Sequence, residues 1–297
     1  MLDFHTLDVF TTTPFAGNPL AVVLGADALT TAQMQTIARE FNLSETIFVQ
    51  APQSPNHTAR VRIFFPTAEI PFAGHPTIGC AILLATQSHP SGDFTAHLVL
   101  EEEAGLVPVT VTRTGTVTEA EFTAPRLPVP HQGTAEPAQI AAALGVDIAA
   151  VGFGTHHPGI WQGGPAFLYV PLRNSADLAA ARPREPHWSA LMTTANVDSA
   201  YLYTRGETFD FQARMFSPTA GIPEDPATGS ATAILAAQLH AAGQIPTGTT
   251  RFSLLQGAEM GRPSHLTLTI DATDTVTAIR IRGSAVPISQ GRLHPPT

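Results

Sequence analysis

Three polar residues stand in settings that suit proton transfer: Glu45 in NLSET, His75 in AGHPTIG and Asp225 in EDPATGS. A carboxylate can take a proton from carbon and an imidazole or a second carboxyl group can return one, provided that burial or a neighbouring charge brings their proton affinities toward neutrality. The three groups differ, which suits a directed proton shift; racemisation asks for two comparable groups on opposite faces of one carbon. Each residue also has a structural reading. Glu45 sits at a strand entry, where a solvated side chain is ordinary. His75 and Asp225 each precede a proline, which is tolerated in a first helical turn, so both are expected at or near helix N-caps, a role worth about 1 kcal/mol for Asp. Gly74, Gly229 and Ser230 flank these points. Glycine lets a ligand approach the backbone and helix N-termini offer N–H groups, so these three are candidates for binding a substrate carboxylate, although Ser230 reads equally well as packing in a small-residue helix.

The elements that must position these residues occur twice. Arg62 to Pro71 against Arg214 to Pro223 gives seven identities in ten at an offset of 152, and Pro76, Gly79 and Ala81 match Pro226, Gly229 and Ala231 at an offset of 150. A period this long, present twice, means two copies of one domain. In this register His75 matches Asp225, Cys80 matches Ser230, and Glu45 after Asn42 matches Ser199 after Asn196. If the copies pack face to face, the matched polar residues converge on one asymmetric cleft. Each repeat is a short strand that meets Pro and Gly and runs into a helix apolar all round, CAILLA in one and ATAILAAQL in the other, and such a helix must be surrounded. With many short strands per half, the packing expected is a curved sheet or barrel around one central helix, twice. Helices are expected from Thr30 or Thr31 to about Phe41, opened by Thr and Gln33, at Pro137–Leu144, at His187–Thr194 and at Ala231–Ala242. The Pro-rich stretch from Thr123 to Pro137 reads as a linker. The boundaries expected are 1–122 and 130–297, with a last strand at about 280–288 free to return to the first domain.

Composition removes other chemistries. With 15 basic and 24 acidic residues, net charge −9, the chain lacks the basic face a nucleic acid needs. Every basic residue is Arg; without Lys there is no Schiff base, no pyridoxal phosphate attachment and no P-loop. One cysteine, Cys80, allows no intrachain disulfide, no Cys-rich zinc site and no two-thiol racemase, and it reads as a small core residue. The adjacent His156 and His157 suit a loop better than a metal site, and no metal is expected. Hydrophobic content of 43% without a membrane-length apolar run, and a start lacking a signal peptide's basic and apolar regions, make cytoplasm the expected location and a membrane partner unexpected.

The segments DVFTTTPFAGNPLAVVL, NLSETIFV, RIFFPTAEIPFAGHPTIG and IPEDPATGSA resemble, in order, the signature regions of the PhzF-like phenazine-biosynthesis isomerase family. The resemblance implies an α+β, diaminopimelate-epimerase-like fold: two pseudo-symmetric domains, each a barrel-like, mostly antiparallel sheet around a central helix, and a homodimer. It implies cofactor-independent isomerisation of a small carboxylate-bearing, cyclic metabolite by acid/base catalysis, with Glu45, His75, Asp225 and Ser230 at the positions that carry it. In related racemases and epimerases two cysteines occupy the places of His75 and Asp225. Two other readings stand beside this one: an epimerase or dehydratase of a hydroxylated amino acid, and a non-catalytic small-molecule-binding protein on the same fold.

Overall fold

The computed structural model describes residues 1–296, in which the chain divides into two compact units, Met1–Pro125 with the chain from Arg280 onward, and Arg126–Ile279. The first unit contains β1 (Leu2–Val9), β2 (Asn18–Val23), α1 (Thr31–Phe41), β3 (Glu45–Gln50), β4 (Ala59–Phe64), β5 (Glu69–Ile70), α2 (Gly74–Ser88), β6 (Phe94–Glu102), β7 (Gly105–Thr114) and β8 (Val117–Thr123). The second contains β9 (Val129–Pro130), α3 (Pro137–Leu144), β10 (Gly159–Gln162), β11 (Ala166–Pro171), α4 (Ser175–Ala180), α5 (His187–Ala195), β12 (Ala200–Arg205), β13 (Phe211–Ser217), β14 (Ile222–Asp225), α6 (Gly229–Ala241), β15 (Gly248–Gln256) and β16 (Ser264–Ala272). The last strand, β17 (Val276–Leu293), begins in the second unit and from Arg280 belongs to the first.

In the first unit β2, β3, β4, β6, β7 and β8 pair in that order, with β2–β3 and β4–β6 parallel and the rest antiparallel. β17 closes the ring: Arg280–Ser284 pairs with β8, and the stretch from Ala285 to Leu293 pairs with β1, which pairs with β2. Eight strands thus form a closed barrel, which leaves no open edge. α2 packs against β1, β2, β3, β6, β7 and β8, and Ile78, Cys80, Ala81, Ile82, Leu83 and Ala85 are buried on its flanks. Burying each of the large aliphatic side chains contributes about 1.5–3 kcal/mol, so an apolar helix is stable only inside such a shell. Gly79 sets the closest approach: a Cβ there would lie 2.5 Å from Leu20 and 2.8 Å from Val9.

In the second unit β9 to β13 pair in sequence, β11–β12 being parallel; β13 then pairs in parallel with β15, and β15 antiparallel with β16. The order and directions of β11, β12, β13, β15 and β16 repeat those of β2, β3, β4, β6 and β7. The small hairpins also repeat, β14 on β13 as β5 on β4. The curved sheet holds α6 against β10, β11 and β16, while α3 and α5 cover its other face through Ile140, Leu144, Trp188 and Leu191 packed on Leu168, Val170, Leu202 and Phe216. This is the α+β, diaminopimelate-epimerase-like architecture expected, two copies of a barrel-like sheet on a central helix.

The duplicated arginines anchor equivalent strands with different partners. Arg62 forms a bidentate pair with Glu69, Nε to Oε1 at 2.7 Å. Arg214, 1% exposed, pairs with Glu224 at 2.8 and 2.9 Å and donates to the carbonyls of Leu178 and Ala181 at 2.9 and 2.8 Å. The acid has moved along the hairpin while the arginine has stayed. No helix among the described residues is long and apolar enough to cross a membrane.

Candidate active site

Asn42 ends α1 in the left-handed conformation, φ 50°, and its N–H bonds the Ala38 carbonyl; Asn196 ends α5 the same way at φ 54°. Asn tolerates this conformation better than most residues, which explains why it recurs just before β3 and β12. Glu45 is the first residue of β3, and in the parallel β2–β3 pair it lies opposite Leu20. The two strands therefore begin at the same end of the barrel, Asn18 on one and Glu45 on the other. Asn18 is delivered by a tight turn that requires Gly17 at φ +68°, where a side chain would collide with Val9 and Thr11.

Ala73, in extended conformation, is the N-cap of α2, so Gly74 and His75 are its first two helical residues and Pro76 the third. His75 thus stands near the N-cap, two residues into the helix. A proline in the first turn removes an N–H that the helix would not have used. The His75 imidazole turns inward, 2% exposed, with Nδ1 3.3 Å from Glu45 Oε2 and 3.3 Å from Asn18 Nδ2; Glu45 is 7% exposed. Burial pulls His75 down to about 3, with the Pro19 carbonyl acting weakly the other way, so the ring is neutral. Nδ1 and Oε2 are thus neighbours at 3.3 Å, with the Asn18 amide nitrogen at the same distance from Nδ1. Moving a proton between two such positions is what an acid/base pair does.

In the second unit Asp225 is the last residue of β14, 3% exposed and opposite Met215. It does not cap α6. The N-cap is Thr228, whose hydroxyl donates to Asp225 Oδ2 at 2.6 Å and makes no capping bond to the helix. Gln256 completes the arrangement: its Nε2 donates to the Asp225 carbonyl at 2.8 Å and to Thr228 Oγ1 at 3.0 Å, and its Oε1 accepts from Thr228 N at 3.1 Å. Gly229 and Ser230 are the first two helical residues, whose N–H groups the helical ladder does not use. Tyr169 donates to the Ala231 carbonyl at 2.7 Å and Tyr201 Oη meets Thr232 Oγ1 at 3.0 Å, which pins this helix start to the sheet.

The predicted residues thus gather as Glu45, Gly74 and His75 at one helix start and Asp225, Gly229 and Ser230 at another. Gly79, matched to Gly229 in sequence, sits in the second turn of α2 and serves packing. Sequence reasoning missed Asn18, Thr228 and Gln256. Thr228 stands in the EDPATGS motif; Gln256 carries no local signal. Cys80 is buried and its thiol is pushed up by burial and by Glu102, which leaves it unreactive. His156 is buried, stacked on Phe153 at 4.3 Å and bonded through Nδ1 to Tyr203 Oη at 2.9 Å; burial pulls it down to about 4.

Known proteins place the chain. Residues 7–291 match the family described as phenazine biosynthesis-like protein. An uncharacterized isomerase of Mesorhizobium japonicum is 43% identical, with 96% of each chain covered. The trans-2,3-dihydro-3-hydroxyanthranilate isomerase of Pseudomonas aeruginosa is 36% identical over 98% of this chain and 99% of its own. The crystal structure of a Bacillus anthracis phenazine biosynthesis protein of the PhzF family superposes with a TM-score of 0.85 at 24% identity, covering 99% of both chains, and so shares the fold. With signature motifs, duplicated fold and relatives in agreement along its whole length, the chain belongs to the phenazine biosynthesis-like (PhzF) protein family and is an isomerase.

Proposed function

We propose that this isomerase shifts a proton within a small, cyclic, carboxylate-bearing metabolite, with no cofactor. Glu45 as carboxylate accepts a proton from a substrate carbon, and the C–H electron pair enters the adjacent π system. Glu45 passes that proton to Nδ1 of His75, 3.3 Å away, and His75 returns it to another carbon of the same molecule, so both side chains end the cycle in the states in which they began it. The unused N–H groups around Gly74 at the start of α2 bind the substrate carboxylate, as helix N-termini bind anions, and the start of α6 offers the same kind of groups around Gly229 and Ser230. The observation that carries this reading is the buried Glu45–His75 pair, 3.3 Å apart beside the first turn of α2. His75 and Asp225, in place of a cysteine pair, favour a directed shift over thiol racemisation.

The substrate named for the Pseudomonas aeruginosa relative, trans-2,3-dihydro-3-hydroxyanthranilate, is a ring acid of this kind and is the first compound to test. Glu45→Gln is expected to lower its turnover by roughly 10²–10⁴-fold, the usual share of a general base, while calorimetric affinity changes little. Turnover retained in that variant removes Glu45 from the mechanism. Binding without turnover in the unaltered protein, across a panel of cyclic carboxylic acids, would favour a binding protein instead. The same family reading includes a homodimer, which sedimentation of the purified protein checks.

A further inference from the structure

Glu102 ends β6 and is 8% exposed, beneath the helix start that carries Gly74 and His75. Its Oε1 lies 2.7 Å from Thr77 Oγ1, and Thr77 Oγ1 lies 2.7 Å from the carbonyl oxygen of Ala73, the N-cap of α2. A hydroxyl has one hydrogen, and an ionised carboxylate only accepts. If Thr77 gave its hydrogen to either oxygen, an ionised Glu102 would leave the other 2.7 Å contact as two lone pairs face to face. The second hydrogen must come from Glu102: Oε1–H donates to Thr77 Oγ1, and Thr77 donates to Ala73. Oε2 has no hydrogen-bond partner among the described residues, a modest cost for a neutral C=O and a severe one for a carboxylate.

The first turn of α2 depends on this relay. The backbone bond that should close it, Thr77 N to Ala73 O, is long at 3.4 Å, and no side chain caps the helix. The hydroxyl bond to the same carbonyl is 2.7 Å. We infer that Glu102 is a positioning residue which, as a protonated acid, acts through Thr77 to hold Gly74 and His75 in the geometry the site uses. On ionisation Glu102 can only accept, so Thr77 turns its hydrogen to Glu102 and releases Ala73.

Burial pushes Glu102 up to about 8, with the Thr77 bond acting the other way. The groups around it are Cys80 on α2, Glu101 and Glu103 in the chain, and Arg60, Arg62 and Glu69, which line with it a groove of about 510 Å³. Glu101 is committed to Gln53 N, Ser54 N and His57 at 2.6–3.0 Å, and Arg62 to Glu69.

Only the catalytic consequence rests on the proposed function, so the test reads the relay directly. Infrared difference spectra of protein labelled with ¹³C-glutamate are expected to show a protonated carboxyl band at pH 6 that fades by pH 9 and is missing in Glu102→Gln. Hydrogen exchange of the start of α2, taken as the ratio of wild type to Glu102→Gln at each pH to cancel intrinsic rates, is expected to rise roughly tenfold between pH 6 and pH 9, following the protonated fraction of a group titrating near 8. Glu102→Gln donates at every pH and keeps the turn closed; Thr77→Val, which leaves no hydroxyl to relay, is expected to exchange fast at both. A missing carboxyl band at pH 6, or a flat ratio, overturns the inference. A present band and rising ratio with no isomerase turnover at any pH would uphold it and remove the proposed reaction instead. If Glu102→Gln does not fold, the ratio of wild type to Thr77→Val decides in the same way, falling at low pH and approaching one at pH 9.

Discussion

His75 offers a quantitative test of the site's electrostatics. In the unfolded chain its imidazole takes a proton below about 6.5. In the folded protein burial delays this to about 3. Between those values the unfolded state binds one proton more than the native state, so stability falls as pH falls; above 6.5 the full contribution is present. The span of about 3.5 pH units at about 1.36 kcal/mol each amounts to roughly 5 kcal/mol, an upper bound because a carboxylate 3.3 Å away favours the charged ring. His75→Gln keeps a neutral polar side chain without the titration. Wild-type stability is expected to drop about 3 kcal/mol more than that of His75→Gln between pH 6.5 and pH 4. Because two units need not unfold together, hydrogen exchange of α2 is a better readout than a single global transition. Imidazole chemical shifts should show His75 neutral at pH 5. Titration of His75 near 6.5, or parallel pH profiles for the two proteins, would refute the burial argument and make the resting pair an imidazolium and a carboxylate.

Thr228→Val removes the hydroxyl that donates to Asp225 at 2.6 Å, a bond worth about 1 kcal/mol, and is expected to lower kcat/KM by roughly fivefold to tenfold, with Thr228→Ser restoring most of it. The two duplicated ion pairs should differ sharply in urea denaturation. Glu224→Ala strands the buried Arg214 and is expected to cost about 3–5 kcal/mol, whereas Glu69→Ala beside the part-exposed Arg62 should cost about 1 kcal/mol or less. Equal losses would contradict the assigned burial of Arg214.

Much of this was readable wherever the signal is local. Thr30 and Gln33 form the capping box that their spacing implies, and α3 runs from Pro137 to Leu144 as its proline and following glycine indicate. The apolar helices are surrounded because their sequences leave no polar face. The strand expected at about 280–288 runs further, from Val276 to Leu293, because it changes partner from β8 to β1 along its length and shifts register at a bulge, so pairing continues on either side of the stretch visible in sequence. His75 and Asp225, matched in sequence, lie on opposite sides of their N-caps, because the matched prolines Pro76 and Pro226 stand differently in the two helix starts. α2 begins two residues before its proline and α6 three residues after. Asn18, Glu102 and Gln256 were invisible as site residues since each acts on a partner far along the chain.

The central claim is transfer of a proton between substrate carbon and Glu45. Incubating trans-2,3-dihydro-3-hydroxyanthranilate with the enzyme in deuterated water and following its carbon-bound protons by NMR tests it most directly. Solvent deuterium is expected at the carbon that gains a proton in the wild-type product, with exchange of substrate C–H lowered roughly 10²–10⁴-fold in Glu45→Gln. Wild-type levels of exchange surviving in Glu45→Gln would contradict it.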